Sequence, residues 1–333
     1  MRAKGLYIAA AGLLGTAILI GYFTPSAHAT GPIPSNCDRT CLEGLVNQYL
    51  AALVARDPKR APLAADVKYT ENEQVMDVGD GFWNTVTGMG NYKHYFADPV
   101  AGQAGFMGTM HESDHLVLMA VRLRAVLGRI TEVEATFYRP GTAGLADVPG
   151  LDASGKPESL WLEPIPPAQR VSRQQLIATA NMYFAGLQNN DGKGVYPFTD
   201  DCNRLEDGVR TTNNPNLGTP INGFNAFALG CKAQFESGFY AVVKRIHHRR
   251  FPLVDEERGV VWACVIFDHD GTHPTVKLTD GREIPMRGFN RPSSIDAVEA
   301  FRIENGLIRR IEMVGSGMPY HFNSAWEGGV SDR

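Results

Sequence analysis

The stretch Leu116–Tyr138, LVLMAVRLRAVLGRITEVEATFY, holds two extended runs that meet at one turn. Leu116, Leu118 and Ala120 alternate with Val117, Met119 and Val121, and after a break at Gly128 the run Ile130-Thr131-Glu132-Val133-Glu134 resumes, the pattern of a long β-hairpin. Residues 300–312, AFRIENGLIRRIE, do the same around Asn305-Gly306, a dipeptide that tolerates positive φ and so marks hairpin turns. Gly128, Ile130, Val133 and Glu134 align without gaps on Gly306, Ile308, Ile311 and Glu312. One sheet ending is used twice.

Working outward, each hairpin is preceded by a helical pattern. Leu42, Leu45, Val46, Tyr49, Leu50 and Leu53 recur at helical spacing within 42–56, and Leu176, Ile177, Ala180, Tyr183, Phe184 and Leu187 do so within 171–190. The second helix opens on Ser172, with Gln175 three residues on, a capping-box signature. Tyr49–Asp57 matches Tyr183–Asp191 over nine positions, which makes the repeat an internal duplication. Further on, Asn72 and Asn203 are expected in matching places. The segment Tyr92–Pro99 reads as a short helix ending before a proline, Gly105–Glu112 as a strand, 233–239 as helix, and 241–251 and 260–267 as strands around a turn at Asp255–Gly259. Residues 141–170, rich in Pro and Gly, read as the linker.

Helices followed by antiparallel strands define an α+β order rather than an alternating βαβ one. A bent sheet wrapped on a helix would make a cone with an interior pocket. The order resembles the nuclear-transport-factor-2-like superfamily, also called SnoaL-like or cystatin-like α+β, in tandem over 37–140 and 171–327. Tyr69-Thr70-Glu71-Asn72, Gly81-Phe82-Trp83, Tyr95-Phe96-Ala97-Asp98-Pro99, the hairpin at Arg122–Glu134 and Pro319–Trp326 resemble an uncharacterised SnoaL-like group of exported bacterial and fungal proteins. The resemblance implies a small-molecule pocket and, in members that are enzymes, chemistry without a cofactor.

The 333 residues, 44% hydrophobic, are enough for about two domains at ~100–200 residues each. A net charge of −4, with no basic block, phosphate loop or heptad run, argues against nucleic acid as a partner and against P-loop, Rossmann and coiled-coil readings. A basic start at Met1–Lys4, an apolar run from Gly5 to Phe23 and Ala27-His28-Ala29 read as a cleaved signal peptide over 1–29, hence a secreted or periplasmic protein with no membrane contact after cleavage. The rival is an uncleaved anchor, because the run approaches spanning length. Oxidising surroundings permit Cys37–Cys41 and Cys202–Cys231 disulfides, with Cys264 a buried thiol. No metal is expected: zinc-type Cys or His spacings are missing, and Asp268-His269-Asp270-Gly271-Thr272-His273 is more simply a turn.

Candidate groups for acid-base work fall in both halves. In Arg245–Phe251, strand alternation would put His247 with Arg249 on one face and His248 with Arg250 on the other, so that one imidazole-guanidinium pair lines a cone and serves proton transfer and oxyanion stabilisation. Asp201 is a further catalytic candidate of the second half; the alternative for the histidine-arginine cluster is a buried ion network with Asp200, Asp201 or Glu236. His111 beside Glu112 is the acid-base candidate of the first half, with a solvent-facing edge pair as its alternative. Tyr69, Asn72, Trp83, Tyr92 and Tyr95 in the first half, and Asn203 and Arg204 in the second, are expected to contact a hydrophobic, aromatic or flat ligand. Two functions are compatible with this: an exported cofactor-independent lyase or isomerase, or a non-catalytic binding or interaction protein, monomeric or homodimeric.

Overall fold

The computed structural model describes residues 37–141 and 144–326; the expected signal segment lies outside them. The first half runs α1 (Arg39–Val54), β1 (Leu63–Glu71), β2 (Gln74–Val75), α2 (Phe82–Thr85), β3 (Val86–Asp98), β4 (Gln103–Glu112), β5 (His115–Val126) and β6 (Arg129–Tyr138). A connection carrying α3 (Val148–Ser154) leads to α4 (Arg173–Gln188), β7 (Phe198–Glu206), β8 (Val209–Arg210), α5 (Cys231–Glu236), β9 (Arg245–Asp255) and β10 (Val260–His269). A small hairpin, β11 (Thr275–Lys277) with β12 (Glu283–Pro285), precedes β13 (Ser293–Glu304) and β14 (Leu307–Met318). The two six-stranded sheets have the orders β2-β1-β6-β5-β4-β3 and β8-β7-β14-β13-β10-β9.

Both hairpins form around two-residue turns with positive φ at each centre, Leu127 (50°) with Gly128 (74°) and Asn305 (51°) with Gly306 (77°). Such turns match the twist of the strands they join. Ser172 and Gln175 form the capping box that starts α4. Both expected disulfides are present, and Cys264 is a free, buried thiol whose burial pushes its pKa up.

Register carries the repeat down to single residues. Lys68, Tyr69, Thr70 and Glu71 pair with Glu132, Val133, Glu134 and Ala135, while Asn203, Arg204, Leu205 and Glu206 pair with Arg310, Ile311, Glu312 and Met313. Tyr69 is therefore the counterpart of Arg204, Thr70 of Leu205 and Glu71 of Glu206. The expected match of Asn72 with Asn203 is corrected by this register: the counterpart of Asn72 is Asp207, and each side chain accepts from a backbone N–H of its last strand, Phe137 and Gly315. Asn203 instead corresponds to Lys68.

Each sheet cups its own helix. Leu42, Val46, Tyr49 and Leu53 of α1 pack with Trp83, Phe106, Val121 and Val133 in the first half, and Leu176, Tyr183, Phe184 and Leu187 of α4 with Phe235, Ala263, Phe301 and Ile311 in the second. The opposite faces pack against one another through Phe96, Met107, Leu118, Trp262, Cys264, Val298 and Val314. Burial of these side chains supplies the dominant favourable term, at roughly 1.5–3 kcal/mol each. Within this seam Glu134 accepts from Arg122 (2.7 Å) and pairs with Arg250 of the other half. Burial would raise the Glu134 carboxyl, but the two guanidinium groups outweigh it and hold its pKa at about 2.

One further expectation is corrected. Tyr92–Pro99 is not a helix: Tyr92, His94 and Phe96 are buried while Asn91 and Lys93 are exposed, a period-two pattern, and the segment is the second part of β3. The helix before it is α2, which turns on Gly81 and buries Phe82 and Trp83. The connection between the halves carries α3, which docks on the first sheet: Asp152 accepts from Asn91 N (2.6 Å) and Thr109 Oγ1 (2.5 Å).

Candidate functional site

The interiors of the two cones differ at equivalent positions. In the first, Phe106 and Val121 are cross-strand partners and Tyr49, Tyr69 and Trp83 fill the space above them, all buried. Its carboxylate, Glu71, accepts from Tyr69 Oη and from Phe82 N (2.7 Å). Burial raises its pKa, and those hydrogen bonds offset part of the rise. Glu71 is occupied in holding the start of α2.

In the second cone the same pair is Ala263 and Glu299. An alanine replaces a phenylalanine, and a carboxyl group replaces an isopropyl group. Glu299 sits on the same face of β13 as Ala297 and Phe301, is 2% exposed, and its Oε2 has no hydrogen-bond partner among the described residues. Burial, with the nearby charge of Glu206, raises its pKa to about 8, against the pull of Arg204 and of a hydrogen bond from Tyr183. A carboxyl tuned this way exchanges a proton near neutral pH.

Arg204 completes the arrangement. Its Nε meets Glu206 Oε1 (2.6 Å) and Thr211 Oγ1 (3.1 Å), and its Nη2 donates to Gln234 Oε1 (2.8 Å) and to Tyr240 Oη. Its Nη1 is buried without a partner among the described residues. Gln234 in turn donates to Thr211 O (2.6 Å) and Ala226 O (2.8 Å), and Tyr240 Oη to Gln234 Oε1 (2.6 Å). Ala226, whose carbonyl accepts from Gln234, lines with Phe239 a cavity of about 190 Å³, whose other walls include Phe224, Ile284, Met286 and Phe289; Arg204 and Glu299 are not among its lining residues. Among the described residues, Arg204 Nη1 is thus an unpartnered donor and Glu299 Oε2 an unpartnered acceptor within electrostatic reach of it. Unpaired buried polar atoms are rare and costly, and they concentrate where a site must meet a ligand.

The expected residues divide among several places. Arg204 is in this array. Tyr69 and Trp83 fill the first cone, Tyr95 lies against α1 with Oη on Asn47 Oδ1 (2.8 Å), and Asn72 holds a turn. Tyr92 and Asn203 line a cavity between the halves, which Arg204 also lines. His111 is exposed, whereas Glu112 turns away to Arg139 (2.6 Å) and Thr85 (2.8 Å), so the two do not form a pair. Asp201 is exposed and bonds Arg309 (2.9 Å).

The alternation expected in Arg245–Phe251 is broken by a β-bulge. Cys264 pairs with Arg250 and Ile266 with His247, so His248 and Arg249 both oppose Val265, and His248 takes φ +50°. His247 consequently lies near Asp268 (3.3 Å) and His248 (2.6 Å), Arg249 bonds Gln188 (2.7 Å) of α4, and Arg250 crosses to Glu134. The buried-network reading holds here, with Asp268 and Glu134 as its acids rather than Asp200, Asp201 or Glu236. Sequence reasoning missed Glu299. A signal existed: the hairpin alignment that matches Gly128 to Gly306 sets Glu299 opposite Val121, a charge in the middle of an apolar strand.

A helix packed on a six-stranded sheet, formed twice, is an α+β architecture of the order expected from the sequence. Residues 169–315, the second half, match the family model "Domain of unknown function (DUF8021)". No curated protein matches the chain. Among solved structures the chain is similar to a Bacillus subtilis protein whose isomerase assignment is provisional, at 11% identity over 43% of this chain and 87% of that one, TM-score 0.29. It is similar also to a Kribbella flavida protein provisionally assigned as a ketosteroid isomerase (15%, 34% and 88%, 0.26) and to the pinacolase BvnE of Penicillium brevicompactum (16%, 43% and 86%, 0.24). Likenesses at these scores carry no argument here; the architecture stands on strand order and register.

Proposed function

We propose that the chain is an exported, cofactor-independent isomerase or lyase that moves a proton next to a carbonyl of a hydrophobic small molecule, with its reacting site in the second cone. The observation that carries this reading is that Glu299 Oε2 and Arg204 Nη1 are both buried without a partner among the described residues, with Arg204 close enough to act electrostatically on Glu299. In its ionised form Glu299 takes a proton from the carbon next to the carbonyl, Arg204 meets the enolate oxygen, and the proton returns to the same or another carbon. No oxidant or reductant enters this balance. The apolar cavity lined by Phe224, Phe239 and Met286 in the same half suits a hydrophobic or aromatic substrate. Export is supported by the two disulfides together with the N-terminal sequence pattern.

The first half then serves as support, its cone occupied by Tyr49, Trp83 and Phe106. The test is deuterium exchange at such carbons in a panel of aromatic and terpenoid ketones, followed by mass spectrometry in heavy water. Glu299→Gln should lower the exchange rate by about 10²–10⁴-fold, the usual weight of a general base. Binding of a panel member with the same exchange rate in wild type and Glu299→Gln would refute the assignment and leave a binding protein.

A further inference from the structure

We infer that the Cys202–Cys231 disulfide is a positioning element of the proposed site: it holds the start of α5 to β7 so that Gln234 and Tyr240 meet Arg204, a task that a glutamate performs for the matching helix of the first half. Its weight for catalysis rests on the role proposed above for Arg204; the holding itself does not.

On β7, Cys202 and Arg204 are two residues apart and share one face of the strand. On α5, Cys231 is the first residue and Gln234 lies three on, one turn along the same side of the helix. The disulfide brings the Cα atoms of the two cysteines to 5.7 Å, and Arg204 Nη2 donates to Gln234 Oε1 (2.8 Å). Crosslink and hydrogen bond are thus two rungs between the same two elements. Both cysteines are buried in the core of the second half. The segment that the crosslink closes supplies further partners of the array. Thr211 Oγ1 accepts from Arg204 Nε (3.1 Å) and Thr212 Oγ1 from Arg204 N (2.9 Å), while the carbonyls of Thr211 and Ala226 accept from Gln234.

The first half solves the same problem without sulfur. There α2 opens after Gly81, and Glu71 of β1 accepts from Phe82 N (2.7 Å), so a carboxylate holds the start of that helix. In the second half α5 opens after Gly230, and among the described residues no side chain caps it. Glu206, the counterpart of Glu71, meets Arg204 Nε instead (2.6 Å). With its acid engaged by Arg204, the helix start is joined to β7 covalently. One step back along each strand from Lys68 and Asn203, Val67 stands where the second half has Cys202.

The far end of α5 has ties of its own. Asn190 accepts from Tyr240 N (2.9 Å) and donates to Phe235 O (2.9 Å), and Thr279 Oγ1 donates to Glu236 O (3.0 Å). Without the disulfide the helix therefore stays anchored at its last turn and loosens at its first, where Gln234 faces Arg204.

Cys202→Val with Cys231→Ala removes the link and gives the strand the valine that the first half already carries. In this double variant the Arg204 Nε–H signal of a nitrogen-15 spectrum, identified by its loss in Arg204→Lys, should leave its wild-type position and exchange with water faster by about tenfold or more. Deuterium exchange on the ketone panel should fall by about tenfold or more. Cys37→Ala with Cys41→Ala, which opens the disulfide at the start of α1, should change neither. A crosslink that acts only by restricting the unfolded chain would lower the urea midpoint and leave the signal in place. An unmoved Arg204 signal in the folded double variant therefore overturns the inference. A moved signal in a protein whose wild type exchanges no panel member refutes the enzyme reading and leaves the inference standing. Should the double variant not fold, Glu206→Gln decides with the disulfide intact. Its α5 amides should keep their wild-type exchange rates, whereas Glu71→Gln should speed those of α2 by about tenfold or more. Lost protection of α5 in Glu206→Gln would mean that the acid, and not the disulfide, holds that helix.

Discussion

Glu299→Gln tests the electrostatics of the second cone through stability alone, without a substrate. In the folded protein the Glu299 carboxyl has its pKa raised from 4.5 to about 8, chiefly by burial. Between those values the folded chain holds a proton that the unfolded chain has released, so stability must fall as pH rises. At 1.36 kcal/mol per pKa unit, the rise corresponds to a loss on the order of 5 kcal/mol once pH has passed the folded value. That is large against a typical total of roughly 5–15 kcal/mol. Glutamine keeps the shape and cannot ionise.

The assay is urea unfolding of both proteins at pH 5, 7 and 9, comparing the difference between them at each pH so that other titrating groups cancel. At pH 5, where wild-type Glu299 is neutral when folded, the variant should be close to wild type. At pH 9 it should be more stable by several kcal/mol. A difference that stays constant over pH 5–9 would mean that Glu299 is not a buried neutral acid, and the proton-transfer proposal would lose its base.

The seam between the halves should respond in the opposite direction. Glu134, held at about 2 by Arg122 and Arg250, contributes stability above its unfolded value that is lost as pH falls from about 4.5 to 2. Glu134→Gln should therefore flatten the acid limb of a thermal-melt pH series while costing about 3–5 kcal/mol at neutral pH, because it leaves two buried guanidinium groups short of a carboxylate. A variant with an unchanged melting temperature would contradict the buried-pair geometry. Leu127 sits at φ +50° in a turn where its counterpart is Asn305, so Leu127→Asn should stabilise the fold by roughly 1 kcal/mol in chemical denaturation. Ser172→Ala removes one side of the capping box and should cost about 1 kcal/mol in the same assay; no change would mean the cap is not limiting.

Much of the fold was legible because its signals are local. The two hairpins declare themselves through alternation plus a two-residue turn, and α4 through its stripe and cap. The parts that were misread depend on long-range partners. Tyr92–Pro99 carries a helical look next to a proline, yet Tyr92, His94 and Phe96 alternate with exposed residues because one face of the strand packs on the opposite half. His248 and Arg249 share one opposing residue, and no composition cue announces a bulge. The catalytic candidates followed histidine density, whereas the unsatisfied acid of the second cone is a single glutamate in an apolar strand. Its significance rests on Ala263 across the ladder and Arg204 on β7, neither near it in sequence.

Joining both sheets on one polypeptide has a consequence for specialisation. Two identical subunits meeting through the same faces would be obliged to carry the same residue at both copies of every position. Here Phe106 and Ala263, or Arg250 and His94, occupy related ladder positions in a single chain and are free to drift apart. One half can grow rigid while its twin trades packing for chemistry, a division of labour closed to a symmetric assembly.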